Sequence, residues 1–215
     1  MKPDDSIDVP RRTQAQRSHF TTGRLLDSAV HCLIERGYAG LTTTLVAEKT
    51  GVSRGALLHH FPSRAALVDA TIRHVFARLT AEFQLRFESL EPGVDRAHAG
   101  LDLLWSAYAC DENLAALDLY VAARTDPELV ASIQPAAVQH RANVFRLARL
   151  YFPDLATDPR FDLGLETLGN TLMGLAVQRA LRVNDSPLQD SVIDFLHTLY
   201  DELFPTSDTE PPRHP

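Results

Sequence analysis

A glycine between two capped helices constrains this chain more than any other feature. Thr42 is a suitable N-cap for the segment that follows it, because its side-chain oxygen can accept a hydrogen bond from a free backbone N–H. Gly51 lies where the chain must turn sharply, and glycine adopts a left-handed conformation without a Cβ penalty. Ser53 can cap a second short helix. Residues 42–61 are therefore predicted to form a helix, a tight turn and a second helix.

The apolar residues of this segment indicate how its two helices pack. Val46 and Ala47 share one face of the first helix, and Leu57 in the second helix points back at them. Two helices that cross steeply over a small alanine are typical of a DNA-reading helix-turn-helix. The second helix would then face a major groove, and we expect DNA contacts from Arg54, Gly55, Ala56, Leu58 and His59.

The residues around this motif carry a resemblance to a known family. The segment from Gly37 to Val68 resembles the DNA-binding domain of the tetracycline-repressor (TetR-type) family of bacterial regulators, through Gly37-Tyr38, Val46-Ala47, Gly51-Val52-Ser53, Gly55, Leu57, His60-Phe61 and Ser63-Arg64. The rest of the chain resembles the family only in its helical organisation. The resemblance implies a homodimeric transcriptional regulator of a double-stranded DNA operator, and a repressor that a small-molecule ligand releases.

Positive charge is concentrated around the predicted motif. The whole chain carries a formal net charge of −7. From Arg11 to Arg64, however, eight Lys/Arg stand against three acidic residues, which leaves a local charge of +5. After residue 64, twelve Arg stand against 22 acidic residues, which leaves −10. Phosphate binding depends on local positive charge, and an acidic body would help to orient the basic end toward DNA.

Helical periodicity without strand-like alternation predicts an all-α fold. The first helix is expected from about Thr21 to Arg36, with Thr21 or Thr22 as its cap, and a long helix from Arg64 to about Phe87 joins the two halves of the chain. Four regions are expected: a disordered basic arm (1–19), a three-helix DNA-binding domain (20–66), a helical ligand-binding and dimerisation domain (67–204) and a flexible tail (205–215).

The residues of the predicted reading helix differ in what they can contact. Arg54 is the strongest candidate for a base contact, because its guanidinium matches O6 and N7 of guanine, although it can also bind phosphate. Gly55 permits close approach of the backbone, and Ala56 suits a thymine methyl. Leu58 replaces the tyrosine usual in the family, so one phosphate hydrogen bond is expected to be missing and Arg54 and His59 to carry more of the contact. Further contacts are expected from Thr22, Thr42, Thr43, Ser53 and Arg64. For each of these residues the alternative is a solvated or capping side chain.

Two apolar stripes near the C-terminus form the candidate dimer interface. The first consists of Leu168, Leu172 and Leu175, and the second of Val192, Phe195, Leu196 and Leu199. In the family the corresponding helix pair packs against its twofold copy. A protein with one short reading helix also needs a second copy for affinity and spacing. The alternative is that both stripes face the core of the single chain.

Polar and aromatic residues on otherwise apolar helices are the candidate ligand contacts. They are Trp105, Tyr108, Tyr120, Arg124, His140 and Gln178. Family members bind a small molecule between such helices, and pockets of this kind are mostly apolar with a few polar groups. The alternative is that the aromatic side chains belong to the core.

The sequence motifs of enzymes and metal proteins are missing. Gly164, Gly169 and Gly174 lack the Lys-Ser/Thr that follows the glycines of a phosphate-binding loop. His59 and His60 are adjacent and point to different faces of a helix, which makes them a poor pair of metal ligands. We therefore expect no catalytic residue, no metal and no cofactor.

Cysteine usage and hydropathy indicate a cellular compartment. Cys32 and Cys110 lie in apolar helical contexts, which favours free thiols in a reducing environment. No apolar run has the length that a bilayer requires, so no membrane partner is expected, and the N-terminus lacks the apolar core of a signal peptide. These features predict a cytoplasmic protein.

Two other functions remain open at this point. One is a dimeric DNA-binding regulator without a ligand, which a collapsed pocket in the body would favour. The other is a helical small-molecule-binding protein or enzyme with a regulator-like N-terminus, which would bind an operator no better than random DNA.

Overall fold

The computed structural model describes residues 14–181 and 187–203 of the chain. Within these ranges the secondary structure is helical, and the expected all-α fold is confirmed. The elements are α1 (Gln14–Gly40), α2 (Thr43–Thr50), α3 (Arg54–His60), α4 (Arg64–Glu88), α5 (Arg96–Tyr108), α6 (Asp111–Ala123), α7 (Pro127–Tyr151), a 3₁₀ turn (Leu155–Thr157), α8 (Phe161–Ala180) and α9 (Pro187–Leu203).

Local hydrogen bonds define the helix-turn-helix as predicted. The Thr42 side chain accepts a bond of 3.2 Å from the N–H of Leu45 at the start of α2. Gly51 ends α2 in the left-handed conformation, with φ 73°. The Ser53 side chain accepts a bond of 3.1 Å from the N–H of Ala56 and so caps α3. The predicted caps and turn are therefore the observed ones.

The first helix begins earlier than predicted. It starts at Gln14 rather than at Thr21, so residues 14–19 of the expected arm are helical and the predicted cap at Thr21 or Thr22 is wrong. Gly37, with φ 64° and ψ −171°, breaks the helical conformation before α1 ends. Residues 1–13 of the arm and the predicted tail at 205–215 lie outside the described residues.

One apolar core runs from the N-terminal helices into the body. Leu25 of α1 and Leu57 of α3 are fully buried in the same cluster as Ile72 of α4 and Leu119 of α6. The cluster continues to Ile133 on α7. Because α4 contributes buried residues along much of its length, it packs against both halves of the chain. A displacement of α4 would therefore disturb packing in both.

A second, smaller core cluster lies between α5, α8 and α9. Leu101, Leu172 and Leu175 form its buried centre, and it is extended by Leu104, Trp105, Tyr108, Leu168, Val192, Ile193 and Leu196. Helix α7 contains Pro135 in its interior and continues through it. No helix in the described part of the chain combines the length and apolar character needed to cross a bilayer.

Candidate DNA-binding surface and ligand cavity

Helix α3 presents its predicted contact residues to solvent. Arg54, Gly55, Ala56 and His59 are exposed, and the capping Ser53 is exposed as well. Leu58 is half-buried. Leu57, on the opposite side, is fully buried. Leu57 therefore anchors α3 to the core, and the other side of the helix presents small and polar residues to solvent.

A hydrogen bond between α1 and α3 fixes the end of the candidate reading helix. The Thr22 hydroxyl lies 3.1 Å from Nδ1 of His60, and the same hydroxyl is 3.0 Å from the carbonyl of Ser18. His60 is half-buried at the end of α3. Thr22 therefore braces α3, and its contact with DNA remains a prediction.

Arg64 is engaged by the protein itself. Its Nε and one terminal nitrogen donate to the carbonyls of Leu41 and Tyr38 at 2.8 and 2.6 Å. Its guanidinium also lies 4.1 Å from the centre of the Tyr38 ring. These contacts hold the start of α4 against the segment between α1 and α2. A phosphate contact by Arg64 would compete with them.

The other cations of the N-terminal helices differ in their freedom. Lys49 forms an ion pair of 2.8 Å with Glu35, and Arg24 donates to the carbonyl of Thr50 at 3.1 Å. Arg54 forms no ion pair with any residue that the structure describes. Thr42 and Thr43, at the start of α2, are half-buried on the same part of the molecule. The guanidinium of Arg54 is therefore more available for a contact with DNA than the charged groups of Lys49 and Arg24.

Two contacts through Tyr38 join the N-terminal helices to the body. The backbone N–H of Tyr38 donates to Oδ2 of Asp118 on α6 at 2.6 Å, and its hydroxyl donates to Oδ2 of Asp126 at 3.4 Å. Asp126 also caps α7 by accepting from the N–H groups of Glu128 and Leu129. Nothing in the sequence pointed to Tyr38 as the partner of either carboxylate.

Charged side chains form a second connection between α1, α4 and α6. Nε2 of His74 lies 2.8 Å from Asp27. Arg78 lies 3.7 Å from the same carboxylate and 3.6 Å from Glu112. Both His74 and Arg78 belong to α4, so this helix is tied to α1 on one side and to α6 on the other.

A cavity of about 850 Å³ lies in the body between the two core clusters. Its wall is mostly apolar and is built from helices α4 to α9, with contributions from Phe76 of the first cluster and Leu172 of the second. Its volume lies in the range of small-molecule sites. Helix α4 therefore lines this cavity with the same apolar face that continues toward α2 and α3.

Half of the predicted ligand contacts belong to the wall of this cavity. Tyr108, Tyr120 and His140 line it. Trp105, Arg124 and Gln178 lie outside the wall as far as the structure describes it. Trp105 packs in the second core cluster, whereas Arg124 and Gln178 are exposed. Helical periodicity identified these aromatic and polar positions. It did not show which helix faces would enclose the cavity.

The lining residues Phe76 and Asn113 were missed by the sequence reasoning. The Phe76 ring stacks on that of His140, with centroids 4.0 Å apart and planes inclined by 7°. The amide of Asn113 donates to the carbonyl of Tyr108 at 3.0 Å. An aromatic residue on an otherwise apolar helix was the available signal for Phe76, the same one that indicated Tyr120.

Three polar side chains of the cavity wall, those of Tyr108, Tyr120 and His140, are uncharged near neutral pH. Burial raises the pKa of Tyr120 to about 12 and also raises the pKa of Tyr108, with a smaller effect from the nearby Glu166 carboxylate. Burial lowers the pKa of His140 to about 4. Nδ1 of His140 is buried without a hydrogen-bond partner. The cavity therefore combines an apolar wall with a few neutral polar groups.

The predicted dimer residues divide between the interior and the surface of the single chain. Leu172 is fully buried and Leu175 is 9% exposed within the chain's own core. The same cluster contacts Leu168, Val192 and Leu196, and Leu199 lines the cavity. Phe195, in contrast, is 62% exposed on α9. For the buried leucines, packing inside the chain is what the structure describes.

Comparison with known proteins extends beyond the N-terminal helices. Residues 25–71 match the model of a family described as bacterial regulatory proteins, tetR family. The HTH-type transcriptional regulator CymR of Pseudomonas putida is 35% identical over 189 residues, which cover 83% of this chain and 93% of CymR. The relationship therefore includes the body as well as the helix-turn-helix.

Solved structures share the same arrangement of helices. The multidrug binding protein EbrR in complex with ethidium aligns with a TM-score of 0.59 at 22% identity, over 83% of this chain and 97% of that one. A transcriptional regulator from Saccharomonospora viridis in complex with choline aligns with a TM-score of 0.64 at 16% identity, over 85% and 96%. At these identities the likeness concerns the fold. Together with the match to CymR across most of both chains, it leads to one conclusion: this chain belongs to the tetR family of DNA-binding transcriptional regulators.

Proposed function

We propose that this regulator is a repressor, and that a small molecule bound in the body cavity releases it from its operator. The observation that carries the proposal is the position of α4. Its first half packs with the helix-turn-helix through Leu67, and its Phe76 lines the cavity. A ligand that contacts Phe76 can therefore act on the element that supports α3.

The DNA-binding step uses the exposed side of α3. Arg54 contacts a base or a phosphate, His59 contacts the backbone of the duplex, and the start of α2 at Thr42 and Thr43 adds phosphate contacts with help from the helix dipole. Two copies of α3 in a dimer read half-sites about 34–36 Å apart, which is one turn of DNA. Occupation of the operator blocks the polymerase.

The release step is a shift between two spacings of the reading helices. A ligand changes the equilibrium only if it binds the non-operator spacing more tightly than the operator spacing. The contacts of Tyr38 with Asp118 and Asp126 transmit a change in α6 or α7 to the segment between α1 and α2. An open cavity of about 850 Å³ favours this mechanism over ligand-independent regulation, for which a collapsed pocket was the expected mark.

The test of DNA binding is selection of sites from a random duplex pool by the full chain, followed by titration of the selected operator. We expect Arg54→Ala to weaken operator binding at least about tenfold and to reduce the salt dependence of the affinity. Arg146→Ala, which removes an equally exposed arginine from α7, serves as the control for net charge. Equal affinity of the wild type and Arg54→Ala would show that the proposed docking of α3 is wrong.

The homodimer uses the outer surface of α8 and α9. Leu163 on α8 and Phe195 on α9 are 70% and 62% exposed, which leaves apolar area on both helices for a second copy. We expect Phe195→Asp to yield monomers in sedimentation equilibrium. Leu150→Asp, at a position that is also 62% exposed but lies on α7, should leave the association state unchanged. Identical association of both variants would contradict this interface.

A further inference from the structure

We infer that the cavity selects an uncharged, mainly apolar ring compound that carries one or two hydroxyl or carbonyl groups, and that these groups bond to Tyr108, Tyr120 and His140. The inference rests on the proposed function in one respect, namely that the cavity is a ligand site. It adds the chemical class of the ligand and the side chains that recognise it.

Three polar side chains of the cavity wall have no hydrogen-bond partner among the described residues. In the described part of the chain, no hydrogen bond engages the hydroxyls of Tyr108 and Tyr120 or the imidazole of His140. All three side chains line the cavity. Polar groups inside proteins are nearly always hydrogen-bonded, because an unpaired one costs free energy. Nδ1 of His140 is such a buried group. Together with the two tyrosine hydroxyls on the same wall, it indicates a ligand that supplies the missing donors and acceptors.

The charged side chains of the cavity wall already have partners of opposite charge. Arg141 donates to Glu166 at 2.7 Å, and Arg160 donates to Asp158 at 2.7 Å. His98, a further titratable group of the wall, lies 3.0 Å from Asp201. An ionic ligand would therefore enter without a free counter-charge, and burial of an unpaired charge is strongly unfavourable.

Burial also disfavours an ion of either sign beside Tyr108 and His140. Burial, and to a smaller extent the Glu166 carboxylate, raises the pKa of the Tyr108 hydroxyl, so a negatively charged group bound beside it is disfavoured in the same way. A cation would have to bind beside His140, where burial already disfavours the positively charged form of the imidazole. Desolvation therefore acts against any ion in this part of the cavity, whichever its sign.

Aromatic side chains on the cavity wall indicate the shape of the ligand. The stacked rings of Phe76 and His140 are 4.0 Å apart and nearly parallel, and Tyr120 lies 6.5 Å from Phe76. Further aromatic side chains on the wall include Phe83, Phe145 and Phe161. A flat ring can pack against such surfaces while its polar substituent reaches the neutral groups. An aliphatic chain would use the same area with less specific contact.

The experiment uses four probes with one ring system on the full chain at neutral pH: naphthalene, 2-naphthol, 2-naphthoate and 2-naphthylmethylammonium. Isothermal titration calorimetry gives the affinity for each. We expect 2-naphthol to bind at least about tenfold more tightly than either ion, because only the ions must be desolvated without a counter-charge. It should also exceed naphthalene severalfold through its hydrogen bonds.

A variant tests the recognition residue directly. His140→Phe keeps a ring for the stack with Phe76 but removes both nitrogens, so we expect the preference for 2-naphthol over naphthalene to fall severalfold while naphthalene still binds. Gln178→Leu, at an exposed position on α8 outside the cavity wall, should leave the preference unchanged. An unchanged preference in His140→Phe would remove His140 from the site.

The outcomes separate this inference from the proposed function. Tighter binding of the carboxylate or the ammonium than of 2-naphthol would overturn the inference, and so would the absence of binding by all four probes. Operator selection is measured without any probe, so it can succeed when the inference fails. Conversely, a preference for 2-naphthol in a protein that selects no operator would support the inference and refute the proposed function.

Discussion

The backbone N–H of Tyr38 donates a hydrogen bond of 2.6 Å to Asp118, which lies 80 residues further along the chain. Tyr38 is also the residue whose ring and carbonyl hold the guanidinium of Arg64 at the start of α4. A single residue near the end of α1 therefore contacts both the body and the long helix that lines the cavity. Tyr38 thus connects the body to the segment that leads into the helix-turn-helix, in addition to the connection through α4.

The contribution of the Tyr38–Asp118 bond can be measured with two variants. Asp118→Leu removes the acceptor, whereas Asp118→Asn keeps an oxygen at the same place. We expect Asp118→Leu to lower the free energy of unfolding by about 1 kcal/mol, since the bond lies at the surface, and Asp118→Asn to lower it by less. Urea unfolding gives both values, and superimposable curves for the two variants would argue against a structural role of this bond.

Gly37 is expected to tolerate no side chain. Its φ is 64°, and a Cβ atom there would lie 2.9 Å from Oδ2 of Asp118. We expect Gly37→Ala to lower the free energy of unfolding by about 1–2 kcal/mol. Gly23→Ala, in the interior of α1 with open space around the new Cβ, should instead be neutral or stabilising by up to about 1 kcal/mol. Thermal or urea unfolding of both variants checks the contrast, and equal effects would contradict it.

The N-cap of α2 should contribute measurably to stability. Thr42 accepts a hydrogen bond of 3.2 Å from the N–H of Leu45, and α2 has only 8 residues. Thr42→Ala should therefore cost about 1 kcal/mol in the free energy of unfolding. Thr44, one residue into the helix and exposed, provides the comparison, since Thr44→Ala removes a hydroxyl that caps nothing. A loss of similar size in Thr44→Ala would show that the cap is not the cause.

His140 should make the stability of the protein sensitive to acid. Burial lowers its pKa to about 4 from the ordinary value of 6.5, so the folded protein binds this proton less readily than the unfolded chain. The resulting stability is fully present above pH 6.5 and is lost as the pH falls through 4. We expect His140→Phe to reduce the drop in the free energy of unfolding over this range by about 2–3 kcal/mol.

The measurement for His140 is urea unfolding of both proteins at several pH values from neutral to acid. Carboxylates titrate in both proteins and cancel in the difference between them. Parallel curves of stability against pH for wild type and His140→Phe would show that the imidazole is not held neutral by burial.

The helix-turn-helix and the limits of the long helix α4 can be predicted from the sequence alone. The caps at Thr42 and Ser53 act on N–H groups three residues away, and the turn at Gly51 depends on the conformation of one residue. Such local relationships are readable from a single chain. The start of α1 was placed too late, because Thr21 and Thr22 have the chemistry of caps although the helix continues through them.

Which helix faces meet depends on the packing of the helices in three dimensions. The stripe containing Leu172 and the aromatic residue Trp105 face the chain's own core, whereas Phe195 faces solvent and His140 faces the cavity. Periodicity shows that a helix has an apolar side, but it does not show which neighbour covers that side. The contact between Tyr38 and Asp118 likewise depends on how α1 and α6 pack, since residues 80 positions apart share no local pattern that could reveal it.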